Sequence, residues 1–106
     1  MRLAEERAAA GAAWLDRVKP GWIDHIDLPH LAMADPCLCV LGQVFDEEGL
    51  SAENPRSGYG WAVGEYSLPR WGRDYGFETD HSMGVASADL RAAWSSLIRK
   101  RWEANR

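Results

Sequence analysis

Asp35-Pro36-Cys37-Leu38-Cys39-Val40-Leu41-Gly42-Gln43-Val44-Phe45 is the stretch on which the fold class turns. Cys37, Leu38, Val40, Leu41, Val44 and Phe45 are almost continuously apolar, and so short a run fits a buried strand as well as a buried helix. What precedes it decides. Asp35 is an N-cap acceptor, and Pro36 suits the first helical position, where its missing N–H is no loss. The pair predicts a buried helix, and with it an all-α or mostly-α fold.

The flanks agree. Upstream, Leu3 to Val18 is rich in alanine, the best helix former, with Leu3, Ala10, Trp14 and Val18 near one stripe and Ala8, Ala12 and Leu15 beside it. Gly11 costs that helix about 1 kcal/mol relative to alanine and marks a close helix–helix approach. Pro20-Gly21 stops it. From Trp22 to Met33 the apolar spacing suits single turns, and Pro29 holds Leu28 extended, which predicts short helical turns separated by bends. Downstream, Asp46 to Ser57 reads as an acidic loop, and Tyr59 to Phe77 as an irregular alternation of glycines and aromatics. Within it Ser67 and Pro69 open a short helix that Gly76 closes. Thr79 to Val85 reads as a second polar loop. The clearest element is the last: Ser87 caps it, Asp89 complements its first turn, and Leu90, Ala93, Trp94, Leu97, Ile98 and Trp102 form its apolar stripe. Arg91, Ser95, Arg99 and Lys100 take the other side. The expected architecture is one compact domain over residues 1–106, with amphipathic helices at the N- and C-termini and short helices between them.

Composition narrows the function classes. The chain has 106 residues, 46% hydrophobic and 26% charged, values of a soluble globular protein with one core. Its net charge is −4, which counts against a protein wrapped in nucleic acid. The longest apolar run near the N-terminus, Ala8 to Leu15, falls well short of the ~20 residues of a membrane span. No secretion signal and only two cysteines point to a reduced, cytoplasmic setting.

Gly11-Ala12-Ala13-Trp14-Leu15, Pro20-Gly21-Trp22, the run from Asp35 to Phe45, Tyr75-Gly76-Phe77, and Leu90 with Trp94 together carry a family likeness. The chain resembles a set of small actinobacterial and actinobacteriophage proteins that share a proline-glycine-tryptophan turn, a Cys-Val-Leu-Gly-Gln core and a Gly-Phe ahead of a terminal amphipathic helix. The resemblance implies a phage or prophage origin, with the host cell cytoplasm as the setting. It implies no mechanism.

Residues that could carry chemistry fall into five groups. His25, His30, Cys37 and Cys39 are four potential metal ligands within 15 positions. A one-residue gap sets two thiols about 200° apart on a helix, so they cannot share an ion, and both cysteines are expected to be small buried hydrophobes in the core helix. No metal and no cofactor are expected. The Asp-His neighbours Asp24/His25, Asp27/His30 and Asp80/His81 lack a nucleophile elbow, an HExxH or a phosphate loop, which makes them surface polar groups in bends and the chain no enzyme. Gln43, polar inside the apolar run, is expected to clasp a backbone carbonyl or loop amide.

The charges and the aromatic rings make up the remaining groups. Residues 1–53 hold four Arg or Lys against ten Asp or Glu, while residues 54–106 hold eight against six. Arg91, Arg99, Lys100 and Arg101 on the last helix could sit on phosphates, although cations near a helix C-terminus also complement its dipole. Six tryptophans are many for this length. Tyr59, Trp61, Tyr66, Trp71 and Tyr75 lie among Gly58, Gly60, Gly64, Gly72 and Gly76, where the chain has few atoms with which to bury every ring. Exposed Tyr and Trp beside a charged rim, here Asp46 to Glu53, is the anatomy of a binding surface. The expected function is therefore a non-enzymatic interaction protein that binds a host or phage macromolecule, a protein partner, through these five aromatics. The alternative is a small regulatory nucleic-acid-binding protein using the terminal helix.

Overall fold

The computed structural model describes residues 2–66 and 71–104, without the side chains at positions 2, 71, 72 and 81. The fold is mostly α. Helix α1 (Arg2–Val18) packs along α6 (Ser87–Ala104), and the shorter α2 (Val40–Val44), α3 (Asp46–Ser51), α4 (Gly58–Tyr66) and α5 (Trp71–Asp74) fill the space beside this pair. Among the described residues the only β pairing is an isolated bridge between Asp80 and Val85, and no helix is long and apolar enough to cross a membrane.

The buried face of α1 is turned slightly from the stripe expected. Ala4, Ala8, Ala12 and Leu15 are fully buried, whereas Leu3 and Ala10 are only half-buried. Small residues win these positions because α6 and the turn before it come so close. A methyl group on Gly11 would lie 2.1 Å from the Tyr75 carbonyl oxygen and 2.9 Å from the Trp94 ring. Pro20-Gly21 ends α1 as expected, with Gly21 left-handed at φ 84°, and two 3-10 turns follow at Trp22–His25 and Leu28–His30.

The run from Asp35 is helical, but it does not begin where the Asp-Pro pair suggests. Asp35 Oδ1 accepts the N–H groups of Cys37 at 2.8 Å and Leu38 at 3.2 Å, closing a single turn. The chain then becomes extended at Cys39, whose sulfur accepts the Gly42 N–H at the start of α2. A continuous helix is excluded because the Pro36–Cys37 backbone folds back across α2. A methyl on Gly42 would meet the Pro36 carbonyl oxygen at 2.4 Å. Gln43 pins this arrangement: its amide oxygen accepts the Asp27 N–H, and its amide nitrogen donates to the Leu38 carbonyl at 2.8 Å.

Two further segments differ from the sequence reading. The acids after Phe45 form not a loop but the first turn of α3, where Asp46, Glu47 and Glu48 complement the helix N-terminus. The glycine-rich stretch from Gly58 to Tyr66 is the regular helix α4, capped by Ser57, whose Oγ accepts the Gly60 N–H at 3.0 Å. Its low propensity is offset by packing. Gly58 lies where a methyl would be 2.5 Å from the Gly42 carbonyl oxygen, so its missing side chain lets α4 meet α2 backbone to backbone. The Ser67 cap and Pro69 lie outside the described residues. Gly76 does close α5, left-handed at φ 71°. The loop after Thr79 contains a 3-10 turn at His81–Met83 and buries Val85. On α6, Leu90, Ala93, Trp94 and Ile98 are buried as expected, but so is Ser95, placed on the other side by the sequence reading.

Replacing Gly11 by alanine separates packing from propensity. Propensity alone predicts a gain of about 1 kcal/mol. The contacts at Tyr75 and Trp94 predict instead a net loss of roughly 1–3 kcal/mol by overpacking, read as a lower urea midpoint with an unchanged slope.

Candidate functional site

A connected set of rings runs through the molecule. Trp61 lies 5.5 Å from Phe45, Phe45 lies 5.8 Å from Tyr66, and Tyr66 meets Trp14 edge-on at 5.1 Å. Trp14 continues to Tyr75 and Phe77, and Phe77 stacks on Trp94 at 5.6 Å. Trp22 closes the series edge-on against Trp94. The buried members are Trp14, Trp22, Phe45, Phe77 and Trp94, and Tyr59, Trp61, Tyr66 and Tyr75 are half-buried against them. The structure thus gathers Trp61, Tyr66 and Tyr75 at the outer margin of one aromatic layer. Trp71 opens α5, but its side chain lies outside the described residues. The acids expected as a rim stand on α3, which packs beside α4.

Tyr59 takes a different place. It leans toward a cleft of about 460 Å³ between the segment around Pro36 and the segment around Glu78. Buried Cys39 and Phe77 form the floor, Met33 and Pro36 contribute apolar wall, and Asp35, Arg73 and Glu78 bring charge. The Tyr59 hydroxyl donates to Glu78 Oε1, and burial pushes the Glu78 carboxyl above its ordinary value. Sequence reading missed this cleft, because its residues come from four separate segments and no single motif brings them together.

The next turn is tied down by charge. Asp80 accepts from Ser82 Oγ at 2.6 Å and from Arg7 Nη1 at 2.9 Å, and these bonds hold its carboxyl down to about 2. The Asp80–Val85 backbone bridge completes the link from α1 to the residues ahead of α6.

The basic residues of α6 are not equivalent. Arg101 donates to Asp16 Oδ1 at 2.8 Å and lies over the Trp22 ring at 5.8 Å. Asp16 also accepts from Trp22 Nε1, and although burial works to raise its carboxyl, the bonds from Arg101 and Trp22 lower it overall. Arg91 Nε donates to the Leu31 carbonyl. Arg99 and Lys100 are exposed and line a shallow face of α6 with Ser95, Ser96 and Glu103.

The cysteines part company. Cys39 is buried, as expected, but Cys37 is exposed, because the helix expected to bury both begins only after Cys39. Burial pushes the Cys39 thiol up to about 11. Of the Asp-His neighbours, His30 Nδ1 bonds Asp27 Oδ2 at 2.8 Å on the exposed surface. Among the described residues, no three His, Cys, Asp or Glu side chains come close enough to hold a metal ion. No family model, curated protein or solved structure matches the chain.

Two outcomes test this description. A thiol reagent should label Cys37 rapidly in the native protein and Cys39 only on unfolding; Cys39→Ala should cost about 0.5–2 kcal/mol and Cys37→Ala less than about 0.5 kcal/mol. Asp80, with its folded carboxyl near 2 against an ordinary 3.8, contributes stability above about pH 4 that is lost as pH falls toward 2. The difference in melting temperature between wild type and Asp80→Asn should therefore shrink over that interval, and a constant difference would show that Asp80 acts by shape alone.

Proposed function

We propose that this protein is a non-enzymatic interaction protein of phage or prophage origin, acting in the host cytoplasm by binding a host or phage macromolecule, most directly another protein. The observation that carries the reading is the half-buried state of Trp61, Tyr66 and Tyr75 at one margin of the aromatic layer. Such rings are already held in place by Phe45, Trp14 and Phe77, so ordering them on binding costs little entropy, and each is only half-buried. The acidic first turn of α3 beside them supplies a charged rim that would steer a basic partner. Trp71, expected at this surface from the sequence, opens α5.

Nucleic-acid binding through α6 has less support. Arg101 is engaged by Asp16, Arg91 by the Leu31 carbonyl, and the net charge is −4. Among the described residues of α6 the exposed cations are Arg91, Arg99 and Lys100, and three such charges would provide only a shallow salt dependence.

The test pairs capture with stability. Tagged wild type is used to recover partners from an actinobacterial lysate, with and without nuclease, and Trp61→Ala is compared on the same partner. The expected result is a nuclease-resistant partner whose affinity falls by about 2 kcal/mol or more in Trp61→Ala. The thermal melt should move less than for Trp94→Ala, where a buried ring costs ~3–5 kcal/mol. A partner held equally by Trp61→Ala would remove the aromatic surface from the proposal. A partner lost on nuclease treatment, and on changing Arg99, Lys100 and Arg101 to glutamine, would transfer the function to α6.

A further inference from the structure

The cleft beside Tyr59 has a chemistry of its own. Its volume, about 460 Å³, lies in the range of small-molecule sites, and both apolar and charged side chains line it. The floor is rigid: Phe77 is stacked on Trp94, and Cys39 is fixed as the cap of α2. Over this floor stand two carboxyl groups. Asp35 has one oxygen committed to the Cys37 and Leu38 amides. Glu78 receives the Tyr59 hydroxyl, and among the described residues no ion pair reaches it.

A desolvated carboxyl without a cation is an unfavourable group, which is why burial raises its pKa. The cation that shares the cleft does not relieve it. Arg73 is exposed at the rim, and its field acts on Asp80, which Arg7 also holds. A ligand that brought its own positive charge to Glu78, on a stem that covered Met33 and Phe77, would satisfy the cleft's polar and apolar halves together. The geometry points to this cleft as a site for an organic cation, an ammonium or guanidinium group carried on a short apolar stem. The inference goes beyond the macromolecular surface proposed above and needs no protein partner, since Tyr59 lines the cleft rather than that surface.

The experiment is an amide NMR titration of the full chain with three isosteric probes: n-pentylammonium, n-pentanol and pentanoate. Pentylammonium should give saturable shifts at Cys39, Tyr59, Phe77 and Glu78, with an affinity about tenfold or more above that of pentanol. Pentanoate should give none at these positions. Glu78→Gln, which keeps the size of the side chain and an acceptor for Tyr59, should reduce pentylammonium to the affinity of pentanol while leaving pentanol unchanged. Equal binding of pentylammonium and pentanol by wild type would show an apolar pocket only. Preferential binding of pentanoate would show that Arg73 governs the cleft, and no saturable shift with any probe would show no site; each result overturns the inference without requiring that a variant fold. Agmatine and a doubly capped arginine amide then distinguish a free small cation from a side chain presented by a polypeptide, and failure of both to bind also overturns it.

Discussion

The hydrogen bond from Trp94 Nε1 to the Gly76 carbonyl, 2.7 Å long and buried, is the constraint on which the rest of the structure depends. It can form only because two side chains are missing. Gly11 lets the Trp94 ring and the Tyr75 carbonyl lie against α1, and Gly76 lies where a methyl would press on the Arg7–Ala8 backbone while its left-handed conformation turns the chain. Three segments distant in sequence therefore meet at one point: α1, the turn after α5, and α6. A buried indole N–H without an acceptor would cost about 1–3 kcal/mol, so the junction selects its acceptor as well as its shape. From there Phe77 is stacked on Trp94, Trp14 is set against Phe77, and Glu78 is delivered to the cleft as the next residue along.

This geometry explains how a chain of this size uses so many rings. Helix α1 presents mainly alanine to the core, which lets α6 come close but leaves little apolar area per residue on α1. The aromatic side chains make up the difference, each burying a large surface with few rotatable bonds. The tryptophans deepest in the core have polar partners for their N–H groups, Gly76 for Trp94 and Asp16 for Trp22. The rings on α4 instead rest on the core with one side outward. The same packing arrangement therefore supplies both the stability of the centre and the apolar margin at which the proposed partner binds.

Much of the fold was legible in the sequence because it rests on local rules. The terminal helices follow from periodicity and composition, the bends near Pro29 from proline stereochemistry, and the Gln43 clasp from the cost of leaving a polar group unpaired in an apolar run. What was not legible depends on contacts between distant segments. Glycines at 58, 60 and 64 argue against a helix by propensity, and nothing nearby announces that Gly42 will meet Gly58 across the core. Asp35-Pro36 is a true turn signal, and only the return of the Pro36 backbone over α2 limits it to a single turn. Three successive acids resemble a solvated loop until the dipole of a short helix is considered, which requires knowing that Phe45 breaks α2. The abundance of rings was legible as a composition; the cleft was not, because Asp35, Tyr59, Arg73 and Glu78 share no local pattern.

The charges show a related division of labour. Acid predominates in the first half and base in the second, yet several of these charges are spent on each other across the fold: Arg7 with Asp80, Lys19 with Glu48, and Arg101 with Asp16. Partly exposed pairs such as Arg101–Asp16 contribute little to stability, about 0–1 kcal/mol. Their larger effect is positional. Arg101 is drawn to the end of α1 and over Trp22, which removes it from the outer face of α6, while Arg7 fixes the turn that follows Glu78. In this way ion pairs of small energetic value decide which charges remain available: they diminish the basic face of α6 and leave Glu78 in its cleft without a compensating cation among the described residues. A solvated surface could hold either charge at small cost, but a carboxyl half-enclosed above Phe77 and Cys39 cannot. One such imbalance therefore lies in a concave place, the cleft that Tyr59 and Glu78 line.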